Sequence, residues 1–316
     1  MKIKLWGVRG SIAAPLSNEE YRKKLRLVLA RAAEKDLTTP HKIKDFMATL
    51  PPELGYTAGG NTTCITVTSK SGHIYIVDAG TGIRRLGEDL LTSGEQQKLR
   101  ILFTHTHWDH IQGLPFFRPL YSPDFEIDFF SGLPDLEKRL QNQMNNTDHF
   151  PAFFDETASK KSYTHVLPGS TFQLEEDLSL EIFPLKHPGG CFAYKFTESG
   201  RVFIFATDAE FTGEDMESDG PDISFFNNAD LLLLDPQYTL DESFEKLYWG
   251  HTSNTMAINC AIRWSIKNLV LTHHEPRYND LTLQKNFQEA VDHRDRMESS
   301  TPRILLARED SVFNIP

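Results

Sequence analysis

The segment His105-Thr106-His107-Trp108-Asp109-His110 holds four candidate metal ligands in six positions, in the pattern H-x-H-x-D-H. Two histidines two apart can reach one ion when the chain is extended. The carboxylate and the third imidazole just beyond them can reach a second ion nearby. Mixed imidazole and carboxylate donors suit borderline divalent ions, zinc first, with manganese or iron as alternatives. An apolar run at 101–103 leads straight into the cluster, so the ligands sit at the mouth of a buried strand. A chance gathering of polar loop residues is a poor explanation for so dense a ligand set. Four ligands, however, cannot close two sites. Three later segments each put a ligand type directly after an apolar run: Leu185-Lys186-His187, Phe205-Ala206-Thr207-Asp208 and Leu271-Thr272-His273-His274. Each is weak alone; together they suggest loops converging on one rim of a sheet, where layered α/β folds place their sites.

The elements that must position these residues are legible as apolar runs at 74–77, 100–103, 125–130, 178–183, 202–205, 231–234, 269–271 and 304–306. Several are continuous rather than alternating, which suits strands buried on both faces. Helical patterns fall between them at 83–91, 136–144, 255–265 and 281–294, and this alternation predicts a layered α/β fold. The segment 15–58 reads as a helical insertion. It carries eight Lys/Arg and six Asp/Glu, against a net charge of −11 for the whole chain. Ser17 with Glu20 predicts a capping box, with Tyr21, Leu25, Val28, Leu29 and Ala32 on one helix face. Thr39-Pro40 predicts a second helix start, with Ile43, Phe46, Met47 and Leu50 as its stripe and Pro51-Pro52 as its end. Such an insertion is a surface hairpin, a lid over the site, or an arm through which a homodimer forms.

With its 316 residues and 39% apolar content the chain has ample material for a core. No apolar stretch approaches the roughly 18 residues a membrane span needs, and the opening Met1-Lys2-Ile3-Lys4 has no apolar leader pattern, so a cytoplasmic location is expected. Cys64, Cys191 and Cys260 are isolated, which signals neither a disulfide framework nor a thiolate zinc site. The acidic balance disfavours a grip on long nucleic acid. His41, His73, His149, His165 and His293 lack ligand-type neighbours and read as ordinary structural or surface histidines. The aromatic stretches around Phe116-Phe117, Tyr121 and Phe150 to Phe154 read as core or interface.

Taken together these segments resemble the metallo-β-lactamase fold superfamily, over the whole of 1–316 apart from the insertion at about 15–58. The resemblance implies a single hydrolase domain built as a four-layer αββα sandwich. It implies that His105, His107 and His187 hold one metal, that Asp109, His110 and His273 hold the other, and that Asp208 bridges them. Asp78, in Asp78-Ala79-Gly80-Thr81-Gly82, matches the family's buried aspartate that braces the ligand loop. Gly250-His251-Thr252-Ser253-Asn254 and Asp235 after Ala229-Asp230-Leu231 resemble the ribonuclease Z and cyclic phosphodiesterase branch. So does Thr272-His273-His274-Glu275-Pro276-Arg277-Tyr278. Trp6-Gly7-Val8-Arg9-Gly10-Ser11 and Gly59-Gly60-Asn61-Thr62-Thr63-Cys64 look like a subgroup associated with cyclic-nucleotide phosphodiesterases. Two departures stand out: Leu234 precedes Asp235 where ribonuclease Z has a histidine, and no Gly/Pro-rich basic arm is evident.

The expected activity is therefore hydrolysis of a small phosphodiester, a cyclic nucleotide first, by two divalent ions. Held about 3.5–4 Å apart, such ions turn a shared water into hydroxide at neutral pH and neutralise charge on the phosphate. Asp109 would take part from within the metal site, His251 would give the leaving oxygen its proton, and Asp235 would hold the far nitrogen of His251. The alternatives are a tRNA 3′-processing endoribonuclease, a hydrolase of lactone, thioester or amide bonds, and, least favoured, a scaffold without activity.

Overall fold

The computed structural model describes residues 1–94, 96–145, 150–213, 215, 221–246, 248–297 and 301–316. His149 lies outside the described residues. Two sheets of seven strands pack face to face. The first contains β1 (Lys2–Gly7), β2 (Cys64–Thr68), β3 (Ile74–Val77), β4 (Lys98–Leu102), β5 (Glu126–Ser131), β6 (Lys160–His165) and β14 (Val312–Asn314), in the order β14-β1-β2-β3-β4-β5-β6. The second contains β7 (Thr171–Glu175), β8 (Leu178–Leu185), β9 (Cys191–Glu198), β10 (Arg201–Ala206), β11 (Leu231–Leu234), β12 (Asn268–Leu271) and β13 (Arg303–Leu306), in the order β13-β12-β11-β10-β9-β8-β7. From β3 to β6 and from β10 to β13 neighbours run parallel, so their carboxyl ends share one edge of the sandwich.

The continuous apolar runs follow from the layering, because each sheet is covered on both faces. Along β11, Leu231 and Leu233 face the core between the sheets, in one cluster with Leu5, Val67, Val77, Leu102, Phe130 and Phe205. Leu232 and Leu234 belong to a separate core with Ile258, Ala261 and Trp264 from the helix Asn254–Arg263 and its C-terminal cap. In the first sheet Ile76, Ile101 and Phe129 likewise cluster with Ile83, Leu86 and Leu90 of the helix Ile83–Ser93. The result is the αββα order of layers. All eight apolar runs form strands. The other six strands mix polar with apolar residues, as in Lys2-Ile3-Lys4-Leu5 of β1, and depend on pairing with neighbours for their definition.

Within 15–58, Ser17 and Glu20 form the capping box that opens the helix Asn18–Ala32, and Thr39 caps the helix Pro40–Ala48. The second helix stops at Ala48, ahead of Pro51-Pro52, and Pro52 opens one further, separate turn, Pro52–Gly55. Proline is tolerated there because the first N–H of a helix has no intrahelical partner. The two longer helices bury no residue, and Tyr21, Leu25, Leu29, Ile43 and Met47 of the expected stripes are exposed. Lys24 anchors the first helix to the body through Asp280 at 2.6 Å. Among the described residues no helix is long and apolar enough to cross a membrane.

Candidate metal centre

Every predicted ligand segment follows the carboxyl end of a strand on the same edge. Asp78 follows β3, the H-x-H-x-D-H segment follows β4, and His187, Asp208, Asp235 and His273 follow β8, β10, β11 and β12. Three of these turns are made by residues in the left-handed conformation, Asp78 (φ 60°), Asp208 (φ 61°) and His273 (φ 55°). Aspartate and histidine are among the few types besides glycine that adopt it. A single such residue breaks the extended chain at once and keeps a short polar side chain at the strand mouth.

The side chains gather into two neighbouring clusters, His105 with His107 and His187, and Asp109 with His110, Asp208 and His273, and a third group, Asp235 and His251 with Asp208 and His273, overlaps the second; within each, one ligand atom per residue lies within 4.8 Å of the others. In the first, His107 Nδ1 is 3.0 Å from His187 Nε2. In the second, His273 Nε2 is 3.0 Å from Asp109 Oδ2 and 3.3 Å from His110 Nε2. Asp208 faces both. Its Oδ1 is 3.8 Å from His187 Nε2 and 4.0 Å from His105 Nε2, and its Oδ2 is 3.0 Å from His110 Nε2 and 3.4 Å from His273 Nε2. His251 closes the far side: its Nδ1 is 2.7 Å from Asp235 Oδ2 and 4.0 Å from Asp208 Oδ1.

Hydrogen bonds behind the clusters decide which imidazole nitrogens carry lone pairs. Asp78, fully buried, accepts from the Thr104 N–H at 2.8 Å, from the Thr104 hydroxyl at 2.9 Å and from His110 Nδ1 at 2.8 Å. It caps no helix, since Gly82 precedes the helix Ile83–Ser93 without a side-chain cap. With Nδ1 held by Asp78, His110 turns Nε2 toward Asp208 and Asp109; a metal there would take its lone pair, and without one the carboxylates hold that nitrogen protonated, well above the usual imidazole range. The Thr104 hydroxyl, its hydrogen given to Asp78, accepts from His105 Nδ1 at 3.0 Å. This leaves His105 Nε2 as a second lone pair, and it is a buried nitrogen without a hydrogen-bond partner. His187 donates from Nδ1 to the Gly250 carbonyl at 3.1 Å, which exposes its Nε2 in the same way.

The electrostatics divide the ligands: the neutral imidazole is favoured in the first cluster and the protonated one in the second. Burial holds His105 well below the usual imidazole range and brings His187 down to about 4. Burial alone would also lower His273, but Asp208 and Asp109 outweigh it and carry the group up to about 9. Burial would raise the Asp208 carboxyl, yet His273, His110 and His105 hold it well below the usual carboxylate range. Asp235 is pushed up by burial despite its bond to His251. The ion-pair partners found for Asp78, Asp109, Asp208 and Asp235 are all histidines. Four buried carboxylates and a set of converging lone pairs need cationic charge. Two divalent ions fit that need in both charge and donor type.

The segment Trp6 to Ser11 supplies the support behind the second cluster. Ser11, at φ 62°, gives its N–H to Asp109 Oδ2 at 2.7 Å. Gly10 lies so close to His273 that a Cβ there would stand 2.4 Å from the imidazole. Arg9 binds the carbonyls of Gly59, Glu275 and Tyr278, which stitches the end of β1 to the loop after β12. The motif from Trp6 to Ser11 is legible in the sequence, whereas its place as a wall behind His273 comes only with the fold. Of the two adjacent histidines, His273 faces the cluster, while His274 gives Nε2 to the Ala307 carbonyl at 2.9 Å, and burial takes it down to about 3. His41, His73, His165 and His293 bond to Asp45, Glu175, Gly132 and Asn259, away from the clusters. Cys64, Cys191 and Cys260 are free and buried, with Cys191 Sγ 3.6 Å from His105 Nδ1.

Comparison with known proteins agrees with this architecture. A ribonuclease Z of Prochlorococcus marinus is 25% identical over 277 residues, covering 69% of this chain and 83% of its own. The metallo-beta-lactamase fold protein YhfI from Bacillus subtilis superposes with a TM-score of 0.63 at 15% identity, covering 99% of this chain and 98% of that one. Unliganded yeast PDE1 superposes with a TM-score of 0.60 at 16% identity, over 99% of each chain. Residues 73–274, which hold all the clustered ligands, match the beta-lactamase superfamily domain. With that match, the sandwich and the two histidine-carboxylate clusters, the chain belongs to the metallo-β-lactamase superfamily of metal-dependent hydrolases, in its ribonuclease Z-like branch.

Proposed function

We propose that this chain is a two-metal phosphodiesterase acting on a small phosphodiester, a cyclic nucleotide first. Asp208 carries this reading, because one of its oxygens faces each cluster at 3.0–4.0 Å from the imidazoles. His105, His107 and His187 would hold one ion, Asp109, His110 and His273 the other, and Asp208 both, with zinc best suited to the donors. When bound, two divalent ions supply an activated water near neutral pH and offset charge on the phosphate oxygens. The chain's own residues do the rest. Asp78, Thr104 and the Gly250 carbonyl hold the protons of His110, His105 and His187 on the nitrogens facing away from the ions. Asp235 fixes His251 through Nδ1, which leaves Nε2 to hold the proton that the departing oxygen takes.

A net charge of −11 supports a small substrate over a polyanion. The likeness to ribonuclease Z supports the second reading, a tRNA 3′-processing endonuclease. The test is one panel of cyclic nucleotides, bis(p-nitrophenyl) phosphate, precursor tRNA and a lactone, offered to the metal-loaded protein at physiological salt. Cyclic and aryl diesters are expected to be cleaved, with precursor tRNA neither retarded in a gel nor cut. Efficient tRNA cleavage with cyclic nucleotides untouched would transfer the assignment to the second reading, and lactone hydrolysis alone would end both.

A further inference from the structure

The loop before His251 presents an aromatic ring in a way that folding does not explain. Tyr248 has φ 68°, a left-handed backbone that a bulky residue rarely adopts, and it is 85% exposed, so no burial compensates. The conformation is enforced from outside the loop. Glu210 accepts the Tyr248 N–H on Oε1 and the Gly250 N–H on Oε2, each at 3.1 Å. The Gly250 carbonyl in turn holds His187, a residue of the first cluster, at 3.1 Å. Tyr248 and Glu210 also line a cavity of about 480 Å³, completed by Lys186, His187, Pro188, Thr212 and Gly250. That volume lies within the range of small-molecule sites, roughly 300–1,000 Å³. The cavity shares His187 with the candidate metal centre, so whatever fills it sits beside the reacting phosphate.

We infer that Tyr248 is the stacking surface for the nucleobase of the substrate, which lies in this cavity. The inference rests on the nucleotide reading above. The walls match a base in kind: an aromatic ring and Pro188 for its face, and polar groups of Glu210, Thr212 and Lys186 for its edge. After accepting two backbone N–H groups, each Glu210 oxygen keeps a lone pair for an amino donor on the base. An exposed ring whose strained backbone is fixed by a carboxylate clamp is a platform with a preorganised base, and stacking on such a ring tolerates any nucleobase because each has a π-face.

Two substitutions test this. Tyr248→Gly removes the ring and suits the left-handed backbone, so the fold is retained; Tyr248→Phe keeps the ring and removes the hydroxyl. The metal-loaded protein is titrated calorimetrically with adenosine monophosphate and with ribose 5-phosphate, which lacks the base. The unaltered protein and Tyr248→Phe are expected to bind the nucleotide at least tenfold more tightly than the sugar phosphate. Tyr248→Gly should lose about tenfold on the nucleotide and nothing on the sugar phosphate. Equal binding of the two ligands by the unaltered protein, or an unchanged nucleotide Kd in Tyr248→Gly, overturns the inference. If the nucleotide preference depends on Tyr248 while no phosphodiester is hydrolysed, the stacking surface stands and the phosphodiesterase reading falls.

Discussion

Replacing Asp78 with asparagine changes one oxygen to an amide nitrogen in a site that has no spare acceptor. The carboxylate takes three hydrogen bonds at 2.8–2.9 Å, from the Thr104 N–H, the Thr104 hydroxyl and His110 Nδ1. In one orientation the new NH₂ points at both the Thr104 hydroxyl and His110. The hydroxyl can rotate, but His110 must give up its Nδ1 proton and keep the one on Nε2, the nitrogen 3.0 Å from Asp208 that would face a metal. In the other orientation the NH₂ meets the Thr104 backbone N–H, and the start of the ligand segment must shift. Either way one buried donor loses its acceptor. Hydrogen bonds to a charged group contribute about 1.5–3 kcal/mol each. One is lost in either orientation, and relief of one of four crowded carboxylates offsets part, so the metal-free Asp78→Asn protein should be destabilised by about 1–3 kcal/mol. Loss of such a partner behind a metal ligand typically weakens metal binding about 10–100-fold. Competition with a chromophoric chelator measures that affinity, and denaturant titration of the metal-free protein measures stability. Binding of both ions within twofold of the unaltered protein would refute the tautomer argument, however much stability is lost.

Three further outcomes are expected. Asp208→Ala should lose metal and phosphodiesterase activity together, read by elemental analysis beside turnover; two ions and normal turnover would remove the bridge. His251→Ala should keep its metal and lose about a hundredfold to ten-thousandfold with alkyl leaving groups, but little with p-nitrophenolate, which leaves without a proton. Equal losses on both substrate types, or loss of metal, would take His251 out of the donor role. Gly10→Ala should displace His273, because its Cβ would stand 2.4 Å from the ring, and the protein should then bind fewer than two ions per chain by elemental analysis; full occupancy would show that the β1 loop yields instead.

Much of this molecule is decided locally. A four-residue apolar run such as 231–234 is strand-like on its own and, being apolar on both faces, demands a layer on each side. The H-x-H-x-D-H segment announces its chemistry because one short stretch supplies ligands for both clusters, and the capping signals at Ser17 and Thr39 involve only neighbouring residues. The long-range relations are different in kind. Asp109 and His273 are 164 positions apart, so nothing local decides between His273 and His274; the sheet register does, turning one ring to the cluster and the other to Ala307. The acceptor role of Asp78 and the Glu210 clamp on Tyr248 likewise exist only once neighbouring strands of one sheet end side by side, and the packing of Gly10 behind His273 only once both sheets end on one edge. Sequence by itself determined the elements and the ligand types, because those follow from side-chain periodicity and donor chemistry. Tertiary structure alone decided which lone pairs converge, since that depends on the turn after each strand and on the hydrogen bond behind each imidazole.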